Sequence, residues 1–305
     1  MAGITVEKLH TLTGHNDCIY TVVAGAESHA VYTADGNGMV VYWDLRQPDP
    51  GKLVAKVPNS IYALTVDKAG KLLYLGQNFE GIHVIDLERN NQIWSIKVTN
   101  SAIFDLFLDE NLLYIATGDG VLIVLDIQAR AVKKHIKISE KSLRTLAVSE
   151  KYVAIGDSEH ALTVVERGSF APVKRLEGAH KNSIFTLKFS PCGQYLVSGS
   201  RDAHLKFWDA ETFEPLNAVV AHMYAINSLA FHPEGQFFVS GSMDKSVKVW
   251  QLEGQRLLKV IDKARHAGHG TSINKVLWTG FDDQVVSVSD DRSVSVWKIA
   301  GLPYR

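Results

Sequence analysis

Cysteine is scarce in this sequence. Cys18 and Cys192 are the only two in 305 residues, and they stand 174 positions apart. That is too few for a disulfide framework and too far apart for any local metal-ligand spacing, so a reducing cytoplasm is the expected home. No run of about 18 apolar residues occurs, and the opening MAGITVEKLHTLTGH has neither the basic start nor the apolar centre of a secretory leader. The expectation is a soluble, intracellular chain with no membrane partner. Neither sign of charge is in excess: 32 Lys and Arg face 33 Asp and Glu, a net charge of −1. A global basic field for nucleic acid is therefore missing. Helix-period stretches are missing too. So are the phosphate loop G-x-x-x-x-G-K-[ST], a G-x-G-x-x-G opening a helix, the G-x-S-x-G elbow and H-E-x-x-H.

What the sequence does contain is one pattern written seven times. A branched apolar residue opens a short strand at Ile19, Ile61, Ile103, Leu143, Ile184, Ile226 and Ile273, at intervals of 42, 42, 40, 41, 42 and 47. A later apolar strand closes 22 or 24 residues on, at Trp43, Ile85, Leu125, Val165, Trp208, Trp250 and Trp297. Within a copy, FTLKFS, YLVSGS and LKFWDA alternate with period two, separated by turn residues. A fourth, less regular strand follows, as in APVKRLEG and EPLNAVVA. Four antiparallel strands in about 42 residues match one blade of a β-propeller. The fold expected is all-β, a seven-bladed propeller of four-stranded antiparallel blades. Blades fall at about 13–57, 58–98, 99–138, 139–177, 178–220 and 221–262. The seventh stops after its third strand, so 266–299 is completed by 4–12, and pairing of that N-terminal strand with the last blade closes the ring and hides a sheet edge.

From Ile4 to Ile299 the chain resembles a WD-repeat β-propeller. The likeness is carried by the ends FWDA, VWQL and VWKI, and by LTGH with VYWDL in the first repeat. The ends VIDL, VLDI and VVER of repeats two to four keep strand pattern and spacing without His or Trp. The resemblance implies a structural tetrad per blade. Carried over by position, the sets are His180, Ser198, Asp202, Trp208; His222, Ser240, Asp244, Trp250; His269, Ser287, Asp291, Trp297; and, with Asn in place of Asp, His15, Thr33, Asn37, Trp43. Repeat three keeps Asp119 alone.

Ser, His and Asp are also the members of a hydrolase triad. A triad occurs once, at a cleft with an oxyanion hole, whereas this constellation recurs in separate blades, so the structural reading is preferred and no catalytic residue is assigned. His266 and His269 could begin a metal site, but no Cys or carboxylate follows at a suitable spacing. Asp282–Asp283 and Asp290–Asp291 fall in expected turns. No cofactor or metal is expected.

Function then belongs to the surface of a rigid disc. The residue after each opening branched position is Tyr20, Tyr62, Phe104, Arg144, Phe185, Asn227 or Asn274, and all are expected on the face ringed by the His-bearing loops. Arg201, Met243 and Asp290 join them from the blade turns. Aromatics and Arg are the side-chain types enriched in interaction hot spots. The expected function is a non-catalytic scaffold that docks a peptide or protein on this top face, where Arg144 or Arg201 suits an acidic or phosphorylated group. Two alternatives stay open. The rings could fill the space between blades near the channel, or the protein could be a propeller enzyme or small-molecule binder using the channel, with Asp17 or Asp105 near its mouth. Nucleic acid is not expected as a partner: Lys133, Lys134 and Lys137 are the one basic cluster of note, and a solvated outer strand accounts for them. Alone, the protein is expected to be a monomer.

Overall fold

The fold is that of a computed structural model, which describes residues 3–67 and 69–303. Residues 1, 2, 304 and 305 at the ends of the assigned propeller, and Lys68 within blade 2, lie outside the described residues. Among the described residues, 28 strands form seven four-stranded sheets. Six sheets are consecutive in sequence. The seventh joins three strands from the C-terminal end to the first strand, Thr5–Leu12. That strand runs antiparallel to Val294–Ala300, with Thr5 opposite Ala300 and Leu12 opposite Val294. Lys8 stacks over Trp297 at 5.2 Å, and Lys259 donates to the Ile4 carbonyl at 3.1 Å. The ring therefore closes with its two ends in one blade. Pairing also removes the open edge that a three-stranded last blade would expose.

The inner strands are Ile19–Ala24, Ile61–Val66, Ile103–Asp109, Leu143–Val148, Ile184–Phe189, Ile226–Phe231 and Ile273–Trp278. Each lies against the next, and the seventh against the first, around a central channel. Period-two alternation leaves both faces of each sheet apolar, and each face is buried on the neighbouring blade. One cluster joins Phe237, Val239 and Val249 of blade 6 to Ile273, Val276 and Trp297 of blade 7. Blade contact is close enough to demand glycine: a Cβ at Gly199 or Gly241 would lie 2.8 Å from Cγ2 of Ile226 or Ile273 in the next blade. The inner strands are also laced together. Leu187, Leu229 and Val276 donate their amides to the hydroxyls of Thr145, Thr186 and Ser228, each one blade back, at 3.2 Å.

The long sixth interval holds a single helical turn, Lys263–His266, capped by Asp262. No helix among the described residues is long and apolar enough to cross a membrane.

Candidate functional site

Every inner strand carries a register shift in the same place. Pairing skips from Ile19 to Thr21, Ile61 to Ala63, Ile103 to Asp105, Leu143 to Thr145, Ile184 to Thr186, Ile226 to Ser228 and Ile273 to Lys275. The residues skipped are the seven expected on the top face. A bulge leaves its extra residue out of the ladder and re-aims its side chain. Here it turns Tyr20, Tyr62, Phe104, Arg144, Phe185, Asn227 and Asn274 out of the inter-blade core. All seven line one cavity of about 470 Å³, together with Phe79, Ala102 and Lys275.

Five of them form a continuous arc over blades 1 to 5. Tyr20 meets Tyr62 edge-on at 4.7 Å, and Tyr62 stacks on Phe104 at 5.7 Å. The Arg144 guanidinium lies 3.8 Å from the Phe104 ring and 4.8 Å from that of Phe185. The cation thus lies over two aromatic rings at once, a favourable arrangement where water is thin. Burial pulls the Arg144 pKa down to about 10, with Tyr62 opposing. Its Nε is buried without a hydrogen-bond partner. Burial, then Tyr62, Cys18, Asp17 and Asp290, push the Tyr20 hydroxyl up to about 12. The arc is thus packed against itself and half-buried, while one edge faces the cavity.

Asn227 and Asn274 act differently. The Asn227 amide donates to the Ile273 carbonyl at 2.8 Å, and that of Asn274 to the Ile19 carbonyl at 2.9 Å and to Asp290 at 2.7 Å. Both side chains fasten one blade to the next. Arg201 is exposed, away from the cavity lining.

Three exposed side chains escaped the sequence reading. Phe79 is 56% exposed at the cavity rim. Met223 and Tyr224 are 81% and 60% exposed beside Met243, at 55%. Asp244 holds this corner together by accepting from the Met223 amide at 3.1 Å, while the Met243 amide donates to the Ala225 carbonyl at 2.9 Å. The signal for all three was a large apolar residue in a turn or loop where polar residues prevail. A larger hollow of about 620 Å³ lies at the opposite end of blades 4 and 5 and includes Cys192. Its basic groups are already paired, Arg167 with Asp109 and Lys151 with Glu211.

The tetrads assemble as side-chain chains. In blade 5, Trp208 donates its indole N–H to Ser198 Oγ at 2.9 Å, and Ser198 meets His180 Nε2 at 2.7 Å. His180 Nδ1 donates to Asp202 at 3.0 Å. Blade 6 repeats this with Trp250, Ser240, His222 and Asp244 at 2.9, 2.7 and 2.8 Å. In blade 7 the chain is Trp297, Ser287, His269 and Asp291 at 2.9, 2.9 and 3.0 Å. Carboxylate only accepts, so Nδ1 carries the imidazole proton and the hydroxyl gives its own to Nε2. Burial alone would raise the Asp202 pKa, but hydrogen bonds from His180 and the Lys181 amide outweigh it and hold it far below the usual range. The three serines are 0% exposed, so no substrate reaches them as nucleophiles.

Blade 1 differs from expectation. His15 Nδ1 donates to Asp35 at 2.8 Å, not to Asn37, while Thr33 bridges His15 and Trp43 at 2.7 and 2.8 Å. Asp35 sits opposite Ile19, as Ser200 sits opposite Ile184. A longer side chain at that position reaches the imidazole from two residues earlier. Asn37 contributes its amide to Asp35 Oδ1 at 3.0 Å, as a turn residue.

Blades 2 to 4 use other fasteners. Asn78 clasps Ser60 at 2.8 Å and the Ile103 amide at 2.7 Å. Asp119 accepts from Thr117 at 2.5 Å. In blade 4, Arg175 reaches inward, donating to Thr163 at 2.9 Å and facing buried Asp157 at 3.6 Å. His266 and His269 do not converge, because His269 is spent in its tetrad. Lys133, Lys134 and Lys137 lie exposed on an outer strand.

Fold and fasteners together define a WD-repeat propeller. The chain belongs to that family: the WD domain, G-beta repeat matches residues 6–44, 170–209, 213–251 and 262–298, about half of the chain. An LVIVD repeat matches 104–133 and 136–166, in the blades without His and Trp. Among curated relatives, the chain is 24% identical over 220 residues to Periodic tryptophan protein 2 homolog of Caenorhabditis elegans, covering 67% of this chain and 23% of that protein. It is 23% identical over 254 residues to mouse Transducin-like enhancer protein 2, covering 66% and 32%. It is 20% identical over 250 residues to Transcription factor unc-37 of C. elegans, covering 64% and 40%. The chain thus spans less than half the length of these relatives. The fold is similar to the crystal structure of the WD40 beta propeller domain of Doa1, with TM-score 0.85, 19% identity, and 96% and 97% of the two chains covered.

Proposed function

We propose that this protein is a non-catalytic interaction scaffold that docks an extended peptide segment of a protein partner on the channel-mouth face. WD-repeat propellers serve in general as protein-interaction scaffolds, and this chain offers what such a role needs. The observation that carries the reading is the convergence of all seven bulged residues on one cavity of about 470 Å³. Apolar anchors of the peptide would rest on Phe79 and the Tyr62–Phe104 edge, or on the Met223, Tyr224 and Met243 corner. An acidic or phosphorylated side chain would meet Arg144, whose orphaned Nε marks it as a donor without an acceptor. Of the two carboxylates that a channel enzyme would recruit, Asp17 accepts from the Cys18 amide at 2.7 Å, and Asp105 accepts from the Leu146 amide at 2.9 Å and the Thr145 hydroxyl at 3.2 Å.

The test is a panel of neutral, acidic and phosphorylated peptides titrated against the wild type, Phe79→Ala and Arg144→Gln. Each variant should weaken an acidic or phosphorylated binder by about 1–2 kcal/mol, with the Phe79→Ala melting temperature unchanged. Equal affinity for wild type and both variants sinks the reading. Loss of folding in Tyr62→Ala and Phe104→Ala would assign those two rings to packing instead.

A further inference from the structure

The inner strands hold few charges. Among the described residues there are five: Asp105, Asp109, Arg144, Lys188 and Lys275. Asp109 lies at the end remote from the mouth, bound to Arg167 and to the Tyr114 hydroxyl. Asp105 is taken up by neutral donors, the amides of Leu106 and Leu146 and the Thr145 hydroxyl. The cations are left over. Arg144, Lys188 and Lys275 form no ion pair and no side-chain hydrogen bond among the described residues.

Register sets their depths. Arg144 is the bulged residue at the mouth, Lys275 stands one place beyond its own bulge, and Lys188 three places beyond. At about 3.3 Å per residue, the three levels span roughly 10 Å down the channel. Lys188 in blade 5 feels both the attraction of Asp105 in blade 3 and the repulsion of Lys275 in blade 7. Each of those blades is two places away around the ring. Burial is the largest influence on Lys188 and pulls its pKa down, and Lys275 pulls the same way against Asp105. Arg144 and Lys275 line one cavity at the mouth, and Lys188 lies on the inner strand of blade 5. Unpaired cations gathered on the inner strands of one ring are unfavourable unless an anion lies among them.

We infer that the central channel beneath the aromatic arc is a binding well for a multivalent oxyanion of the phosphate type, held by Arg144 at the mouth and by Lys275 and Lys188 inside. Asp17 and Asp290 flank Tyr20 on the far side of the mouth, and their carboxylates accept from the Cys18 amide and the Asn274 amide. At the rim the anion is therefore held toward Arg144 in blade 4, and Lys275 of blade 7 meets it one place below that level. The same phosphoryl chemistry could arrive as a free ion or on a docked peptide. The inference does not depend on peptide docking.

The probe is inorganic phosphate added to the full chain at constant ionic strength, read by thermal unfolding and calorimetry. Phosphate should raise the melting temperature saturably, where matching chloride does not. Lys188→Met and Lys275→Met should each weaken phosphate binding by about tenfold, and without phosphate their melting temperatures should stay level or rise. A wild type indifferent to phosphate overturns the inference. So does a Lys188→Met variant that melts lower yet keeps the full phosphate response, since Lys188 would then be a structural partner of Asp105. Competition separates the sources: displacement of a phosphopeptide by phosphate indicates a peptide-borne group, and phosphate binding without competition indicates a free ion. Phe79→Ala, which alters peptide docking alone, keeps the two proposals distinguishable.

Discussion

A buried hydroxyl with an indole N–H on one side and an imidazole nitrogen on the other has no spare capacity. Ser240 is such a group, since Trp250 donates to it at 2.9 Å and His222 Nε2 stands 2.7 Å away. Ser240→Ala strands two polar atoms inside blade 6, at a cost of about 2–3 kcal/mol in urea unfolding. The corrected partner in blade 1 makes a sharper comparison. Asp35 is fully buried and accepts from His15 and from the amides of Asn37 and Met39. Asp35→Ala should therefore lose about 3 kcal/mol, whereas Asn37→Ala should stay within about 0.5 kcal/mol of wild type. Similar losses for both would return Asn37 to the network.

The element that matters most for integrity is the N-terminal strand. It places Leu12 in the core between blades 7 and 1 and covers the edge of Val294–Ala300. Removing residues 1–12 withdraws the buried Leu12, the partly buried Ile4, Val6 and Leu9, and a row of ladder hydrogen bonds. The truncated chain should lose about 4 kcal/mol or more and self-associate through the bared edge, as read by calorimetry and light scattering. An unchanged melting temperature would refute the closure as a source of stability. Inner strands matter in another way. Without the bulge at Ile184–Thr186, pairing would hold Phe185 in the ladder and direct it at a neighbouring blade.

At the scale of the whole wheel, the buried His and Asp of blades 5 and 6 make stability respond to pH in one direction. Burial pulls His180 and His222 below the usual 6.5, so folding favours their neutral form and the stability they add is present above about 6.5 and lost as pH falls through it. Burial would raise Asp202, Asp244 and Asp291, but their histidine partners and other hydrogen bonds hold them below the usual 3.8. Their contribution is present above 3.8 and disappears below it. Urea midpoints should be flat from about pH 8 to 7, fall below about 6.5 and fall again below about 3.8. A midpoint that rises on acidification would contradict the sign. Blades 2 to 4 lack those histidines and are fastened instead by Asn78, the Thr117–Asp119 pair and Arg175.

Blade number, strand order within each blade and ring closure were written in the chain, because each follows from local spacing: alternation of period two, turns between strands, and a repeat near 42 residues. The three tetrads came instead from the resemblance to WD-repeat propellers. The seven mouth residues could also be named from their place after each branched residue. Their common cavity could not, since it depends on a bulge in every inner strand, and a bulge is a property of the pairing of two strands rather than of either sequence. The tertiary fold also decided that Asp35 and not Asn37 meets His15, that Asn227 and Asn274 fasten blades, and that Arg144 and Lys275 line one cavity. Those two cations come from blades 4 and 7, and only closure of the ring brings together charges so far apart in the chain.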